Sequence, residues 1–249
     1  MEQRISLPII GYIRSPLVEK FGIPRQPNLV DVPAYIEFVA PYDDAPAFVG
    51  LTEFSHVWLT WQFHQNKGQA VFRPQIRPPR LGGNAKIGVF ASRSMYRPSA
   101  LGLSVVRLDR VEVTQGKAVL HVLGADLLDG TPIIDIKPYV AYSDALPDAQ
   151  SGFAADAPKR LTVCWSPTAS TQIGGLLSAG ILQAGQLLLI EQLLALDPRP
   201  AYQDDAREYG MAYDRVNVRF VFEAIACEAG QESVANEPQV VLIKEIVTR

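Results

Sequence analysis

The chain has 249 residues, 48% of them hydrophobic and 20% charged, with a formal net charge of −3. These values are ordinary for a globular protein and exclude a protein that coats nucleic acid through a strongly basic surface. The two cysteines, Cys164 and Cys227, form no CxxC pair. We therefore expect no disulfide framework and no metal site, and we expect a reducing compartment, the cytoplasm. The most apolar run, 181–196, is too short and too polar to span a bilayer.

Short runs of β-branched, aromatic or alternating apolar residues predict strands through the first 140 residues. These predicted strands cover 5–13, 34–39, 54–64, 85–91, 101–113, 118–123 and 133–136. Turns rich in Gly and Pro separate them, and 114–117 is typical of a hairpin connection. The pattern predicts a mainly β fold, a barrel or sandwich, and the lack of a GxGxxG segment disfavours a Rossmann nucleotide site.

Residues 73–104 hold six Lys or Arg side chains and no Asp or Glu. Proline and glycine recur throughout this stretch, which predicts shaped loop around a single strand. Guanidinium groups on fixed loops suit phosphates and carboxylates, which they bind with two parallel hydrogen bonds. A solvated basic surface loop is the alternative, and charge alone slightly favours it. The density of Pro and Gly favours binding.

Other candidate site residues lie on loops or at strand ends. Arg25 and Gln26 are flanked by two prolines, which hold them in an extended or turn conformation. His64 ends a predicted strand, where side chains reach solvent or a pocket, whereas His56 lies within that strand and is more often a core residue. Asp126 and Asp129 are either turn formers or partners for the amino end of a zwitterionic ligand.

The second half of the chain predicts a separate small α+β domain. Residues 143–158 are small, polar and proline-containing, which marks a domain boundary. Beyond it we predict strands at 161–165, 216–224 and 240–247 and a helix at 183–196 that stops at Asp197-Pro198. The predicted organisation is a first domain at 1–145, a linker at 146–158 and a second domain at 159–249.

Several segments together resemble one known family. They are Gly11-Tyr12-Ile13-Arg14-Ser15-Pro16, Pro24-Arg25-Gln26-Pro27, Phe54-Ser55-His56, Arg77-Pro78-Pro79-Arg80-Leu81-Gly82-Gly83, Gly88-Val89-Phe90-Ala91, Asp126-Leu127-Leu128-Asp129-Gly130-Thr131-Pro132 and Asp197-Pro198-Arg199-Pro200-Ala201-Tyr202. In this order and spacing the chain resembles the TsaA-like (TrmO-type) family. Its members are S-adenosylmethionine-dependent methyltransferases that act on N6-threonylcarbamoyladenosine at position 37 of tRNA.

The resemblance implies a β-barrel methyltransferase domain unlike the Rossmann methyltransferases, a small C-terminal domain and a homodimer. It also implies a cofactor pocket for S-adenosyl-L-methionine, assembled from separated stretches. Carried onto this chain, the pocket consists of Arg25, Gln26, Pro27, His64, Gln65, Arg93, Leu103, Asp126, Leu127, Leu128 and Asp129. Leu103 has no signal of its own and would otherwise be assigned to the core.

Candidate substrate contacts come from the basic stretch and from the residues that follow the predicted strand 133–136. We expect tRNA, through its anticodon loop, to meet Arg77, Arg80, Arg97, Lys137 and Tyr139. Arg97 is the candidate for the threonyl carboxylate, Tyr139 for the base and Lys137 for a phosphate, while no general base can be named. A non-catalytic module that binds the anticodon loop through its arginines is the alternative function.

One segment departs from the family pattern. The family typically has Arg-Pro-Asn-Pro-Ile-Gly where this chain has Arg97-Pro98-Ser99-Ala100-Leu101-Gly102. Ser99 keeps a hydrogen-bond donor and acceptor but loses the reach of the amide. Ala100 should loosen the turn, so rate or substrate choice is expected to differ if that Asn contacts the target base.

Overall fold

The computed structural model describes residues 5–66, 71–78, 81, 84–199, 207–224 and 239–249. The chain forms two compact units, Met1–Pro16 with Arg25–Phe153, and Leu17–Pro24 with Ala154–Arg249. The division after Phe153 lies within the segment 146–158 for which the sequence predicts a linker. The sequence did not predict that Leu17–Pro24 belongs to the second unit.

The first unit is a closed antiparallel barrel, which confirms the predicted mainly β fold. Its strands are β1 (Gly11–Arg14), β2 (Pro33–Phe38), β3 (His56–Gln62), β6 (Leu101–Thr114), β7 (Lys117–Leu123) and β8 (Pro132–Pro138). They are hydrogen-bonded in the order β1-β2-β7-β6-β3-β8, and β8 closes onto β1. This unit also contains a two-stranded ribbon, β4 (Gln75–Ile76) with β5 (Ile87–Gly88), a short helix, α1 (Ala141–Asp144), and several 3-10 helices.

The barrel interior follows from the period-2 alternation of the strands. Val57, Leu59 and Trp61 of β3 point inward and are at most 7% exposed, and the core continues on every neighbouring strand. Between β6 and β7, Gln115 and Gly116 both have positive φ (51° and 76°). Two such residues are what a tight two-residue hairpin turn requires, so the predicted connection at 114–117 is confirmed.

Two predicted strands are shorter than the sequence suggested. The first begins only at Gly11, and residues 5–8 before it are exposed, Ile5 by 87%. The run 85–91 yields only Ile87–Gly88, because Val89–Ala91 turns into a 3-10 helix. The prediction for 85–91 was therefore wrong over most of its length.

The second unit is α+β, as predicted. It contains β9 (Thr162–Trp165), α2 (Pro167–Ser178), α3 (Ala184–Ala195), β10 (Tyr209–Tyr213), β11 (Val216–Ala224) and β12 (Gln239–Thr248). The sheet order is β10-β11-β12-β9, with β9 parallel to β12. None of the helices in the described ranges is long and apolar enough to cross a membrane.

Helix α2 was not predicted. Its N-terminus carries a clear signal, because Ser166 Oγ accepts a hydrogen bond from the Ala169 backbone N at 3.1 Å and Pro167 occupies the first helical position. The adjacent glycines Gly174 and Gly175 lower the helix propensity of this segment, which weakens the sequence signal for a helix.

The segment Leu17–Pro24 is held in the second unit by specific contacts. The ring of Phe21 stacks on that of Tyr209 with centroids 6.0 Å apart, and Glu19 Oε1 accepts a hydrogen bond from the Ala212 backbone N at 2.6 Å. Gly22 has φ of +88° and lies against the Met211 side chain, where a Cβ would be 2.4 Å from the sulfur. Only glycine fits this position.

Candidate functional site

A chain of hydrogen bonds leads from the barrel interior to a carboxylate. Trp61 Nε1 donates to Ser104 Oγ at 3.1 Å, and Ser104 Oγ donates to Asp126 Oδ1 at 2.7 Å. Ser104 is 1% exposed and points into the barrel from β6. Gly102, two residues earlier, lies so close to the Trp61 indole that a Cβ would be 2.3 Å from the ring. The indole, the hydroxyl and the carboxylate therefore have one packed arrangement.

The environment of Asp126 favours its neutral form. Burial raises the pKa of Asp126 to about 6, and the Ser104 hydrogen bond and the charge of Arg93 oppose that rise. The group is still anionic at neutral pH. A partly buried carboxylate of this kind is suited to a cationic ligand, which would compensate the desolvation that raises its pKa.

Arg93 connects a second loop to this carboxylate. Its Nη1 donates to Gln26 Oε1 at 2.5 Å, and its charge acts on Asp126. Gln26 lies just after the segment 17–24, Arg93 lies within the basic stretch 73–104 and Asp126 follows β7. Three predicted cofactor residues from distant parts of the chain therefore converge.

The end of the segment 126–129 is hydrogen-bonded to residues 13–15. Asp129 Oδ1 accepts a hydrogen bond from the Ser15 backbone N at 3.0 Å, and the next residue, Gly130, donates its N–H to Ile13 O at 2.8 Å. Leu127 and Leu128 are 1% and 7% exposed. Both residues are therefore almost entirely covered by the rest of the chain.

The remaining predicted cofactor residues lie on exposed loops or surfaces. Arg25 and Pro27 flank Gln26, with Arg25 exposed and Pro27 half-buried, and His64 and Gln65 are exposed beyond the end of β3. Phe63 N donates to Ala100 O at 2.9 Å, which ties the loop of His64 to the turn after Arg97.

Leu103 and Lys137 share a groove on the outside of the barrel. The groove has a volume of about 420 Å³ and is lined by Trp58, Thr60, Leu103, Lys137, Pro138, Val140, Tyr142, Ser143 and Asp144. Trp58 Nε1 donates to Asp144 Oδ2 at 2.9 Å, and Val140 N donates to the same oxygen. These two hydrogen bonds lower the pKa of Asp144, first that from Val140 and then that from Trp58.

The predicted cofactor residues therefore do not all lie on one face of β6. Ser104 points inward to Asp126, whereas Leu103, its neighbour, points outward and is 57% exposed. Tyr139 packs beside the groove, with its ring centroid 6.1 Å from those of His56 and Trp58. The structure brings Lys137 and Tyr139 to the side of the barrel that also carries Leu103.

The predicted substrate arginines differ in their surroundings. Arg97 is half-buried, and its Nη1 donates to Ser92 O at 2.9 Å, which fixes one edge of the guanidinium group. Arg77 is exposed after β4. Arg80 lies outside the described residues.

The turn after Arg97 excludes proline at position 100. Ala100 has φ of +49° and donates its N–H to Arg97 O at 3.1 Å. Proline has neither the N–H nor access to positive φ. The departure from the family pattern therefore goes with a hydrogen-bonded turn of positive φ, and the expected loosening relative to the family stays a prediction.

Sequence reasoning missed Ser104 and Trp61. The available signal was the pattern of β6, in which Ser104 is a polar residue at an inward position of a strand with apolar alternation. A buried hydroxyl at such a position needs partners, and this one has Trp61 and Asp126.

Comparisons with known proteins first identify the class of protein, the S-adenosylmethionine-dependent tRNA methyltransferases. Over 92% of this chain and 97% of the relative, it is 41% identical to the tRNA (adenine(37)-N6)-methyltransferase of Escherichia coli. It is 51% identical to the enzyme of that name from Eikenella corrodens, over 68% of this chain and 92% of the relative. A Pseudomonas aeruginosa relative, 47% identical over 81% of this chain and 86% of its own length, has a name that places it among S-adenosylmethionine-dependent methyltransferases.

Family models and a solved structure specify the family. The tRNA-methyltransferase O N-terminal domain matches residues 12–145 and the TrmO C-terminal domain matches residues 158–231. The crystal structure of TrmO from Pseudomonas aeruginosa is similar with a TM-score of 0.73 at 35% identity, over 98% of this chain and 99% of that one. The chain belongs to the TrmO family.

Proposed function

We propose that this protein transfers a methyl group from S-adenosyl-L-methionine to N6 of adenosine 37 in tRNA, on a base that already carries a threonylcarbamoyl group. Family membership along both units supports the reaction. The observation that carries the site is the convergence of Gln26, Arg93 and Asp126 at one end of the barrel.

The residues at this end fit the proposed cofactor. S-adenosylmethionine has a positive sulfonium and an amino-acid tail with both charges, and it supplies the methyl group when bound. Asp126 and Asp129 offer anionic oxygens for the amino group, and Arg93 and Arg25 offer cations for the carboxylate. We also assign Gln26, Pro27, His64, Gln65, Leu127 and Leu128 to this pocket, with Leu103 approaching it from the outer face of β6.

The low reactivity of the target nitrogen determines what the protein must do for methyl transfer. It is part of a urea, so its lone pair is delocalised and it is a weak nucleophile. The protein must hold it in line for attack, and positioning can supply several kcal/mol of the barrier. Arg97, with one of its five N–H donors fixed on Ser92, is the proposed partner of the threonyl carboxylate.

Phosphate and base contacts are proposed for the neighbouring residues. Arg77 and Arg80 would meet the backbone of the anticodon loop, and Lys137 a further phosphate. Tyr139, which already packs against Trp58, would contact the base. No side chain is assigned as general base.

We further propose that the protein acts in the cytoplasm as a homodimer. Gln26 and Arg93 form an exposed hydrogen bond, so a bound cofactor would remain in contact with water unless a second subunit covers it. Twofold dimers are the commonest assemblies. A monomer by light scattering at micromolar concentration, with full activity, would contradict the dimer.

Mass spectrometry of nucleosides tests the reaction directly. Purified protein, S-adenosylmethionine and tRNA carrying the threonylcarbamoyl group should yield the methylated nucleoside, while tRNA without that group should yield much less. A calorimetric titration with S-adenosylmethionine separates the enzyme from a non-catalytic RNA-binding module. The module would release no heat with the cofactor and would give no product.

A further inference from the structure

Two aromatic rings, one just before the basic stretch 73–104 and one within it, are exposed side by side. Phe72 is 53% exposed and Phe90 is 71% exposed, and their rings stack with centroids 6.2 Å apart and planes 28° apart. Val71, next to Phe72, is 75% exposed. Large apolar side chains grouped on a surface indicate an interaction site more often than isolated ones do.

The backbone fixes the position of this pair. The β4–β5 ribbon aligns Gln75 with Gly88, and Val89 N donates to Pro74 O at 2.9 Å just beyond the ribbon. Phe72 lies two residues before Pro74 and Phe90 directly follows Val89, so this hydrogen bond joins the two segments that carry the rings. The rings are held together before any ligand arrives.

The charge around the pair favours a polyanion. Arg73, Arg77 and Lys86 are exposed on the same two segments, and the stretch 73–104 contains no acidic residue although the whole chain has a net charge of −3. Exposed rings within a local cationic surface are the combination that binds single-stranded nucleic acid, where bases stack and phosphates meet cations.

The pair also lies close in sequence to the candidate pocket. Phe90 precedes Arg93 by three residues, and the loop between them is held by Ser92, whose O accepts from Arg97 Nη1. A ligand on the rings would therefore be adjacent in the chain to the residues proposed to hold the cofactor and the threonyl group.

We propose that Phe72 and Phe90 form a stacking platform for an unpaired base of the anticodon loop next to the nucleotide that is methylated. The proposal rests on the proposed function and extends it to a second base. Bases within a duplex cover each other's faces, so a platform of this kind selects a loop with splayed bases over a stem. It accepts any base, because every base has a π-face.

The test compares Phe72→Leu and Phe90→Leu with Phe90→Tyr. Leucine keeps most of the apolar area but removes the aromatic face, and tyrosine keeps the face. The probe is an anticodon stem–loop RNA with 2-aminopurine on the 3′ side of position 37, and binding is measured by filter retention and by fluorescence. Phe153→Leu is the matched control, because Phe153 is 40% exposed outside the basic stretch.

We expect each leucine variant to weaken RNA binding about 10-fold and to reduce the fluorescence change on binding. Phe90→Tyr and Phe153→Leu should behave as the wild type. Affinity for S-adenosylmethionine should be unchanged in all variants, which also shows that they are folded. The salt dependence of RNA binding should keep its slope in the leucine variants, because a ring displaces no counterions.

Two results would overturn the platform. One is wild-type RNA affinity and fluorescence in both leucine variants. The other is equal loss of binding in Phe90→Tyr and Phe90→Leu together with a changed mass in light scattering, which would mean that a second copy of the chain covers the rings. If the wild-type protein binds the RNA through the rings but yields no methylated nucleoside, the proposed function fails and the platform stands.

Discussion

Ser104 Oγ donates a 2.7 Å hydrogen bond to Asp126 Oδ1 while accepting one from Trp61 Nε1. The hydroxyl therefore connects the packed interior of the barrel to a carboxylate at its end. Since Ser104 is 1% exposed, water cannot replace it. The position of Asp126 is consequently set by the core rather than by the loop in which it lies.

Asp126→Asn should stabilise the protein at neutral pH. Burial raises the pKa of Asp126 from 3.8 to about 6, so the folded protein keeps this proton in a range where the unfolded chain releases it. The contribution of Asp126 to the free energy of unfolding is therefore fully present below pH 3.8. Up to about 3 kcal/mol of that free energy is lost as the pH rises through about 6. The asparagine variant avoids that cost.

Urea unfolding of both proteins at pH 4 and pH 7.5 checks this prediction. The free energies of unfolding should be similar at pH 4, and the variant should be more stable at pH 7.5. A difference that is the same at both pH values would contradict the role of ionisation. The variant should also bind S-adenosylmethionine more weakly, because the anionic oxygen is lost.

Asp129→Asn and Asp129→Ala should show whether Asp129 binds the cofactor through its charge or only positions Ser15 through its hydrogen bond. The Ser15 N–H donates to Asp129 Oδ1, and asparagine retains that acceptor whereas alanine does not. If the charge of Asp129 holds the cofactor amino group, both variants should lose affinity, by roughly 1.5–3 kcal/mol. Calorimetric titration with S-adenosylmethionine measures this. Wild-type affinity in Asp129→Asn would show that Asp129 only anchors the loop of Ser15.

Ala100→Pro should destabilise the first unit even though it moves the sequence toward the family pattern. The φ of +49° is closed to proline, and the N–H that donates to Arg97 O would be lost. Ala100→Gly should instead stabilise by about 1 kcal/mol, because glycine adopts positive φ without strain. Thermal unfolding of the three proteins gives the order directly, and a proline variant as stable as the wild type would refute this account of the turn.

Arg199→Ala should destabilise the second unit. Arg199 is 6% exposed, its Nε and Nη2 donate to the two oxygens of Asp197 at 2.9 and 2.8 Å, and its guanidinium lies 3.4 Å from the centroid of the Phe222 ring. Loss of these contacts should cost about 2–4 kcal/mol. The motif Asp197-Pro198-Arg199 is therefore a structural element of this unit.

Native-state hydrogen exchange in β10 and β11 measures the loss. Arg219→Ala is the control, since Arg219 is 51% exposed and pairs with Glu208 and Glu245 on the surface. Its effect should remain within about 0.5 kcal/mol. Equal protection in the Arg199 variant and the wild type would contradict a structural role for Arg199.

Particular elements show why sequence reasoning succeeded for the barrel and failed elsewhere. Strand β6 and its hairpin to β7 have alternating apolar residues and a glycine turn, which are local signals. Strand β5 is only two residues long because the chain turns into a 3-10 helix at Val89–Ala91, although the apolar residues there are typical of a strand. The assignment of Leu17–Pro24 to the second unit depends on Phe21 and Tyr209, which are far apart in the chain.

The amino-acid sequence alone determined the mainly β class, the α+β character of the second unit, the basic stretch and the family. These depend on local periodicity, charge and ordered motifs. Tertiary structure decided that Ser104 supports Asp126, that Leu103 faces a groove on the outer surface, and that Phe72 stacks on Phe90. Each of these is a contact between distant residues, and its existence depends on strand register and barrel closure, where a shift of one residue would reverse which side chains face inward.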